Sequence, residues 1–180
     1  MMRVVSGLAC VALLCTATLA AETRYPLTGE NTKITFTGTK KNGKHDGGFA
    51  KLTGTATITD GNPASLKVEV EIDCDSLYSD NDKLTGHLKN PDFFSVKDHP
   101  KATFKTTKVE PTDKGVQITG DLTMIGKTQP VTFPATVTEK DGVLTLTAEF
   151  KIDRTRWGMT YGKGMIDNDV AIKVALTAKK

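Results

Sequence analysis

The chain has 180 residues, room for one domain and not comfortably for two. Its 24 Lys plus Arg against 21 Asp plus Glu leave a surplus of three, too small to make nucleic acid or an anionic membrane the default partner. With 38% hydrophobic and 25% charged residues, collagen-like, coiled-coil and strongly disordered chains are disfavoured, while 28 Thr, β-branched and polar, suit the wet face of a pleated sheet.

At the start, Arg3 precedes an uncharged apolar run from Val4 to Ala21, and polar composition returns at Glu22 and Arg24. This is the charged start, apolar run and small-residue end of an export signal, with Thr18 and Ala20 placed for cleavage after Ala20. Residues 1–20 are expected to be a signal peptide and residues 21–180 the mature domain, periplasmic or secreted. A retained anchor or a lipid attached at Cys10 are the competing readings. The run is short for a span, and Gly7 stands where a lipobox has Leu. Cleavage removes Cys10 and Cys15 and leaves Cys74 alone, so no internal disulfide forms and the core supplies the stability.

Beyond the signal, most of the chain alternates with period two. Ile34 and Phe36 share a face opposite Thr35 and Thr37, and Ala56 and Ile58 oppose Thr55, Thr57 and Thr59. Val68, Val70, Ile72 and Cys74 oppose Lys67, Glu69, Glu71 and Asp73. One segment breaks the period: Ser79 to Asn90 puts Leu84, His87 and Leu88 at helical spacing, with Ser79 or Asp80 as N-cap and Pro91 ending a short helix. An irregular turn then runs from Pro91 to Pro100. Alternation resumes with Val116, Ile118, Leu122 and Met124, then Val131, Phe133, Ala135 and Val137. Leu144 to Ile152 and Val170 to Leu176 follow, each opposed by Thr, Lys or Glu.

Short turn signals separate these runs: Asn42-Gly43, Asp60-Gly61, Lys114-Gly115, Ile125-Gly126 and Asp141-Gly142. Short links favour antiparallel neighbours, since a parallel pair needs a crossover helix. The expectation is an all-β domain: about eight antiparallel strands closing into a barrel, with one or two short helices.

The segment Thr85-Gly86-His87-Leu88, followed by Asp92-Phe93-Phe94 and His99-Pro100-Lys101-Ala102-Thr103-Phe104, resembles the central signature of the YceI-like family. Gly120 to Thr128 resembles its strand-turn motif. Phe150-Lys151-Ile152-Asp153-Arg154 with Trp157-Gly158-Met159 resembles its late motif, with Trp157 where Phe is common. The resemblance runs from about Tyr25 to the C-terminus. It implies a lipocalin-like barrel exported to the periplasm that holds polyisoprenoid or other long-chain lipids, with no catalytic residues to carry over and a homodimer plausible.

The residues agree with that implication. A long apolar ligand needs a mostly apolar cavity with a few polar groups to fix its head. Inward parity places Phe36, Val70, Ile72, Phe104, Leu122, Met124, Phe133, Phe150, Ile152 and Val174 to line it; the competing reading is that they fill a solid core with a structural role. Arg154 shares their parity and either holds an oxygenated or phosphorylated lipid head or pairs with Asp153, Asp167 or Asp169. Trp157 plugs the barrel end and takes part in the ligand site. An aromatic at the mouth, Trp157 or Tyr161, could also touch a membrane transiently.

His45, His87 and His99 have no metal-ligand spacing, so no metal and no cofactor are expected. An extracytoplasmic lipid-acting enzyme using His87, Cys74 or Arg154 is the rival function, and it lacks a Gly-rich elbow for an oxyanion hole. The expectation is non-catalytic binding, sequestration or transport of an isoprenoid or related lipid.

Overall fold

The computed structural model describes residues 20–180, so the expected signal, with Cys10 and Cys15, lies outside the described residues apart from Ala20. In chain order the elements are β1 (Glu22–Thr28), β2 (Thr32–Lys40), β3 (Gly43–Phe49), β4 (Leu52–Thr59), β5 (Asn62–Asp73), β6 (Leu77–Ser79), α1 (Asp82–Leu88), β7 (Lys101–Thr112), β8 (Gly115–Met124), β9 (Lys127–Lys140), β10 (Val143–Asp153) and β11 (Ile166–Lys179). Single 3-10 turns sit at Cys74–Ser76 and Arg154–Trp157.

The strands pair antiparallel in one eleven-stranded sheet, ordered β1-β4-β5-β7-β8-β9-β10-β11-β2-β3-β6. β11 bonds β2 over Leu176↔Thr32 to Val170↔Gly38. The last strand thus returns beside the start of the chain, and the sheet curls into a barrel-like wall.

Eleven strands replace the expected eight or so because three long alternating runs are each broken once, at residues 29–31, 50–51 and 74–76. The breaks lie side by side. A Cβ on Gly29 would overlap the Ala50 carbonyl, the Ala50 amide donates to the Ser76 carbonyl at 3.1 Å, and the Lys51 amide donates to Ser76 Oγ at 2.9 Å. Neighbouring runs therefore turn a corner together, and the ladder is interrupted in each. The buried parity shifts at each corner, from Tyr25 and Leu27 to Thr32, from Phe49 to Leu52 and from Cys74 to Leu77.

The five short links are hairpins, as their turn residues imply. Three of them, Asp60-Gly61, Ile125-Gly126 and Asp141-Gly142, take left-handed φ at both central positions, the turn geometry that matches strand twist.

Most strands bury one face. On β5, Leu66, Val68, Val70 and Ile72 are buried, while Glu69 and Glu71 point outward to Lys105 and Lys101. Most of the threonines take the wet face, where Thr119 meets Thr132, Thr123 meets Thr128 and Thr138 meets Thr145 through hydroxyl hydrogen bonds across neighbouring strands.

Helix α1 is capped by Asn81, not by Ser79 or Asp80. Asn81 Oδ1 accepts from the Leu84 amide at 3.0 Å. The other two side chains are engaged elsewhere: Asp80 takes the Asp46 amide and the His45 ring, and Ser79 Oγ bonds Thr85. The paired register of β9 and β10 ends at Ala135↔Ala148, beside Pro134, which has no N–H to extend a ladder.

Candidate functional site

Among the described residues, two adjoining cavities lie in the interior. The inner one, about 130 Å³, is walled by strands from all round the sheet. Of the residues that inward parity selects, Val70, Ile72, Phe104, Leu122, Met124, Phe133, Phe150, Ile152 and Val174 line it. Its wall is hydrocarbon and aromatic apart from Thr32. The outer cavity, about 210 Å³, is lined by Phe36 and Arg154 among the expected residues. Phe49, Met124, Ile152 and Ile172 line both, so the two chambers abut.

Trp157 lines neither chamber. It is fully buried, and its indole Nε1 donates to the Leu122 carbonyl at 3.0 Å.

Several lining residues lie outside the set chosen from parity. Phe49 ends the Gly47-Gly48-Phe49 stretch, where all three positions are buried and alternation fails. Leu84 and Leu88 come from α1 and Phe93 and Phe94 from the turn after it, so this segment roofs the outer chamber. The helical spacing of Leu84 and Leu88 was a visible signal of an apolar face; what that face covers was not. Met159, from the loop after Trp157, completes the roof.

Arg154 is only 4% exposed, and its partners correct the expected ion pair. Nη1 donates to the Met159 carbonyl at 2.6 Å, Nε to the Asp167 carbonyl at 3.1 Å and Nη2 to the Ile166 carbonyl at 3.4 Å. The Asp153 carboxylate instead caps the following 3-10 turn, accepting from the Thr155 amide at 2.9 Å and hydroxyl at 2.6 Å. Those two bonds hold Asp153 below the usual carboxylate range. Burial pushes the guanidinium down, opposed by the charge of Asp153. Chain geometry explains the change of partner: Arg154 opens a turn, and the carbonyls of β11 and its preceding loop close around it.

The other titratable candidates are separate. His45 reaches the outer chamber and its Nδ1 lies 2.9 Å from Asp80 Oδ1. His87 Nε2 lies 2.9 Å from Asp92 Oδ2, and its ring meets Phe93 and Tyr161 edge-on. His99 lies beside the Gly126 turn. Cys74 is buried, and that burial pushes its thiol up to about 11, the reverse of what a nucleophile needs. Among the described residues no cluster of His, Cys, Asp or Glu could hold a metal ion.

Comparison with known proteins places this architecture. Residues 25–178 match a family model described as YceI-like domain. A UPF0312 protein of Pseudomonas putida is 40% identical over 97 residues, covering 49% of this chain and 50% of that protein. The chain thus matches about half the length of its curated relatives. The crystal structure of Burkholderia cenocepacia BcnA superposes with TM-score 0.74 at 24% identity, covering 82% of this chain and 96% of that one. A polyisoprenoid binding domain from Saccharophagus degradans, implicated in plant cell wall breakdown, superposes with TM-score 0.68 at 13% identity over 87% and 97% of the two chains. At these identities the two structures establish the fold.

Proposed function

The chain belongs to the YceI-like domain family, and from that premise we propose that it binds a long-chain isoprenoid or related lipid by enclosing it. The observation that carries this reading is the inner chamber, whose wall offers hydrocarbon and aromatic surface and which abuts a second, roofed chamber. The polyisoprenoid binding of the Saccharophagus degradans domain supports it.

Energetics suit a chain of modest length. Each methylene-sized group removed from water contributes about 0.8 kcal/mol before ordering costs. Micromolar binding needs about 8 kcal/mol, so roughly ten to fifteen enclosed carbons suffice. The protein acts by sequestration or carriage, without chemistry: Cys74 is held as a neutral thiol, and His87 pairs with Asp92 on the outside of the roof. The ligand wall consists of the parity-selected residues together with Phe49 and the roof.

Export is part of the proposal, with residues 1–20 as the cleaved signal and the periplasm or exterior as the site of action. Exposed Tyr161 and Met165 near the roof suit brief contact with a membrane during loading.

Gentle isolation of the mature domain followed by native mass spectrometry and organic extraction tests the reading. A lipid of defined mass leaving with the protein is the expected result. Isolation without lipid, together with failure to take up farnesol, would overturn it.

A further inference from the structure

The interior is not hollow from end to end. Leu146 of β10, Leu176 of β11 and Thr32 of β2 stand opposite one another in register on neighbouring strands, and all line the inner chamber. The next inward pair on β10 and β11, Leu144 and Ala178, is fully buried and lines neither chamber. The floor therefore lies between these two rows.

A crossbar runs beneath it. Tyr25 of β1 is fully buried, and its hydroxyl donates to Glu139 Oε1 of β9 at 2.9 Å. β1 and β9 are not neighbours in the sheet, and Glu139 stands opposite Leu144, so the bond spans the interior just below the floor. A chain held in the chambers cannot thread out through this end.

Two measures of the space above the floor agree. A cavity of about 150 Å³ accommodates benzene, or about 25 Å³ per carbon, so chambers of about 130 and about 210 Å³ hold about five and about eight carbons. This limit applies to a folded-back chain as well as to an extended one. By length, Thr32 at the floor and Lys40 at the rim of the outer chamber are eight residues apart on β2. That is about 20 Å along the barrel axis, at about 3.3 Å per residue and about 40° of strand tilt. An extended chain advances about 1.2 Å per backbone bond, so an isoprene unit takes roughly 5 Å and about four units reach from floor to rim. The volume fits a farnesyl chain and the depth a geranylgeranyl chain.

We propose that the protein selects chain length, taking prenyl chains of farnesyl to geranylgeranyl size and excluding long polyprenyl chains, with Leu146 and Leu176 as the stop. This rests on the lipid-binding reading and adds to it an upper limit and the residues that set it. A longer chain leaves its excess in water, at a factor of about four in affinity for each methylene-sized group exposed.

The test loads the mature domain from detergent micelles holding equimolar geraniol, farnesol, geranylgeraniol and solanesol, so that every chain starts from the same apolar phase. Native mass spectrometry then identifies the bound alcohol. Farnesol and geranylgeraniol are expected to exceed solanesol by about tenfold or more. Solanesol bound as readily as farnesol would overturn the length limit while leaving lipid binding intact. No alcohol bound at all would overturn the lipid-binding reading itself.

Leu146→Ala lowers the stop and should raise the ratio of bound geranylgeraniol to farnesol about fourfold or more. Val174, half-buried, lines the inner chamber one row above the stop, opposite Ala148 and Ile34. Val174→Phe raises the floor and should shift the bound alcohol toward geraniol by a similar factor. Should the Ala variant fail to fold, the Phe variant, which adds apolar volume, carries the test. Unchanged ratios in folded protein would overturn Leu146 and Leu176 as the stop.

Discussion

The rings of Phe133 and Phe150 lie face to face, their centroids 4.2 Å apart and their planes 8° from parallel, as the first inward pair beyond the last bonded register of β9 and β10. Side-chain stacking therefore continues the wall where Pro134 stops the ladder, and Phe104 tilts against Phe133 at 5.8 Å to complete a three-ring patch on the inner chamber. Phe150→Ala removes that bridge. The expected cost is about 2–4 kcal/mol, toward the lower end for a large-to-small change because the ring is half-buried. Urea unfolding of the empty domain measures it, and a loss below about 0.5 kcal/mol would show that the stack does not hold the strands.

Gly120 occupies an inward position on β8 where a Cβ would overlap the Phe104 ring and lie 2.7 Å from the Lys105 carbonyl oxygen. The carbonyl belongs to the adjacent strand and cannot move freely, so the ring must yield into the inner chamber. Gly120→Ala should cost about 1–3 kcal/mol of stability and weaken farnesol binding by reducing the chamber. Phe104→Leu in the same chain should recover binding more fully than stability. Farnesol affinity equal to that of the parent protein would show that Phe104 moves elsewhere.

These two sites mark what the sequence could reveal. Inward parity identified Val70, Ile72, Phe104, Leu122 and Val174 as wall because a strand face has period two and needs only local information. The corner through Gly29, Ala50 and Ser76 was hidden because it depends on three runs meeting side by side. The roof residues Leu84, Leu88, Phe93 and Phe94 were seen as a helix and a turn, but the direction of an apolar face is set by tertiary packing. Arg154 was correctly placed at the interior by parity. Its partners were not legible, because nearby carboxylates in sequence suggest an ion pair while backbone carbonyls leave no signature there.

Cys74 gives the fold a defined alkaline limit. Its thiol is raised from 9.0 to about 11, chiefly by burial and then by the charge of Asp73. Below pH 9 folded and unfolded chains both hold this proton, so the thiol adds no pH dependence. Between those two values the unfolded chain releases a proton that the folded chain keeps, and stability falls as pH rises. About 2–3 kcal/mol is lost across the window. Tyr25, raised by burial and by its hydrogen bond to Glu139, acts in the same direction at higher pH. Denaturant midpoints at pH 8 and pH 10.5 should differ less in Cys74→Ala than in the parent protein. An identical difference in both would mean that the folded thiol ionises as readily as the unfolded one.

Trp157 separates a structural plug from a ligand wall. Its indole is fully buried and bonded to the Leu122 carbonyl, yet it borders neither chamber. Trp157→Phe keeps an aromatic ring, leaves that carbonyl without its indole donor and opens a small void. The expected loss is about 2–4 kcal/mol, which for a domain of this size lowers Tm by roughly 4–16 °C. Because Leu122 lines the inner chamber from the same strand segment, the test must distinguish loosening of the fold from loss of a contact. Farnesol affinity measured well below the variant's own Tm is therefore decisive. Unchanged affinity within about twofold, alongside the lower Tm, is the result expected of a plug that closes the gap between β8 and the turn after β10. A tenfold weaker affinity in fully folded protein would place the indole in the ligand's path, with the chambers extending past Leu122 when occupied.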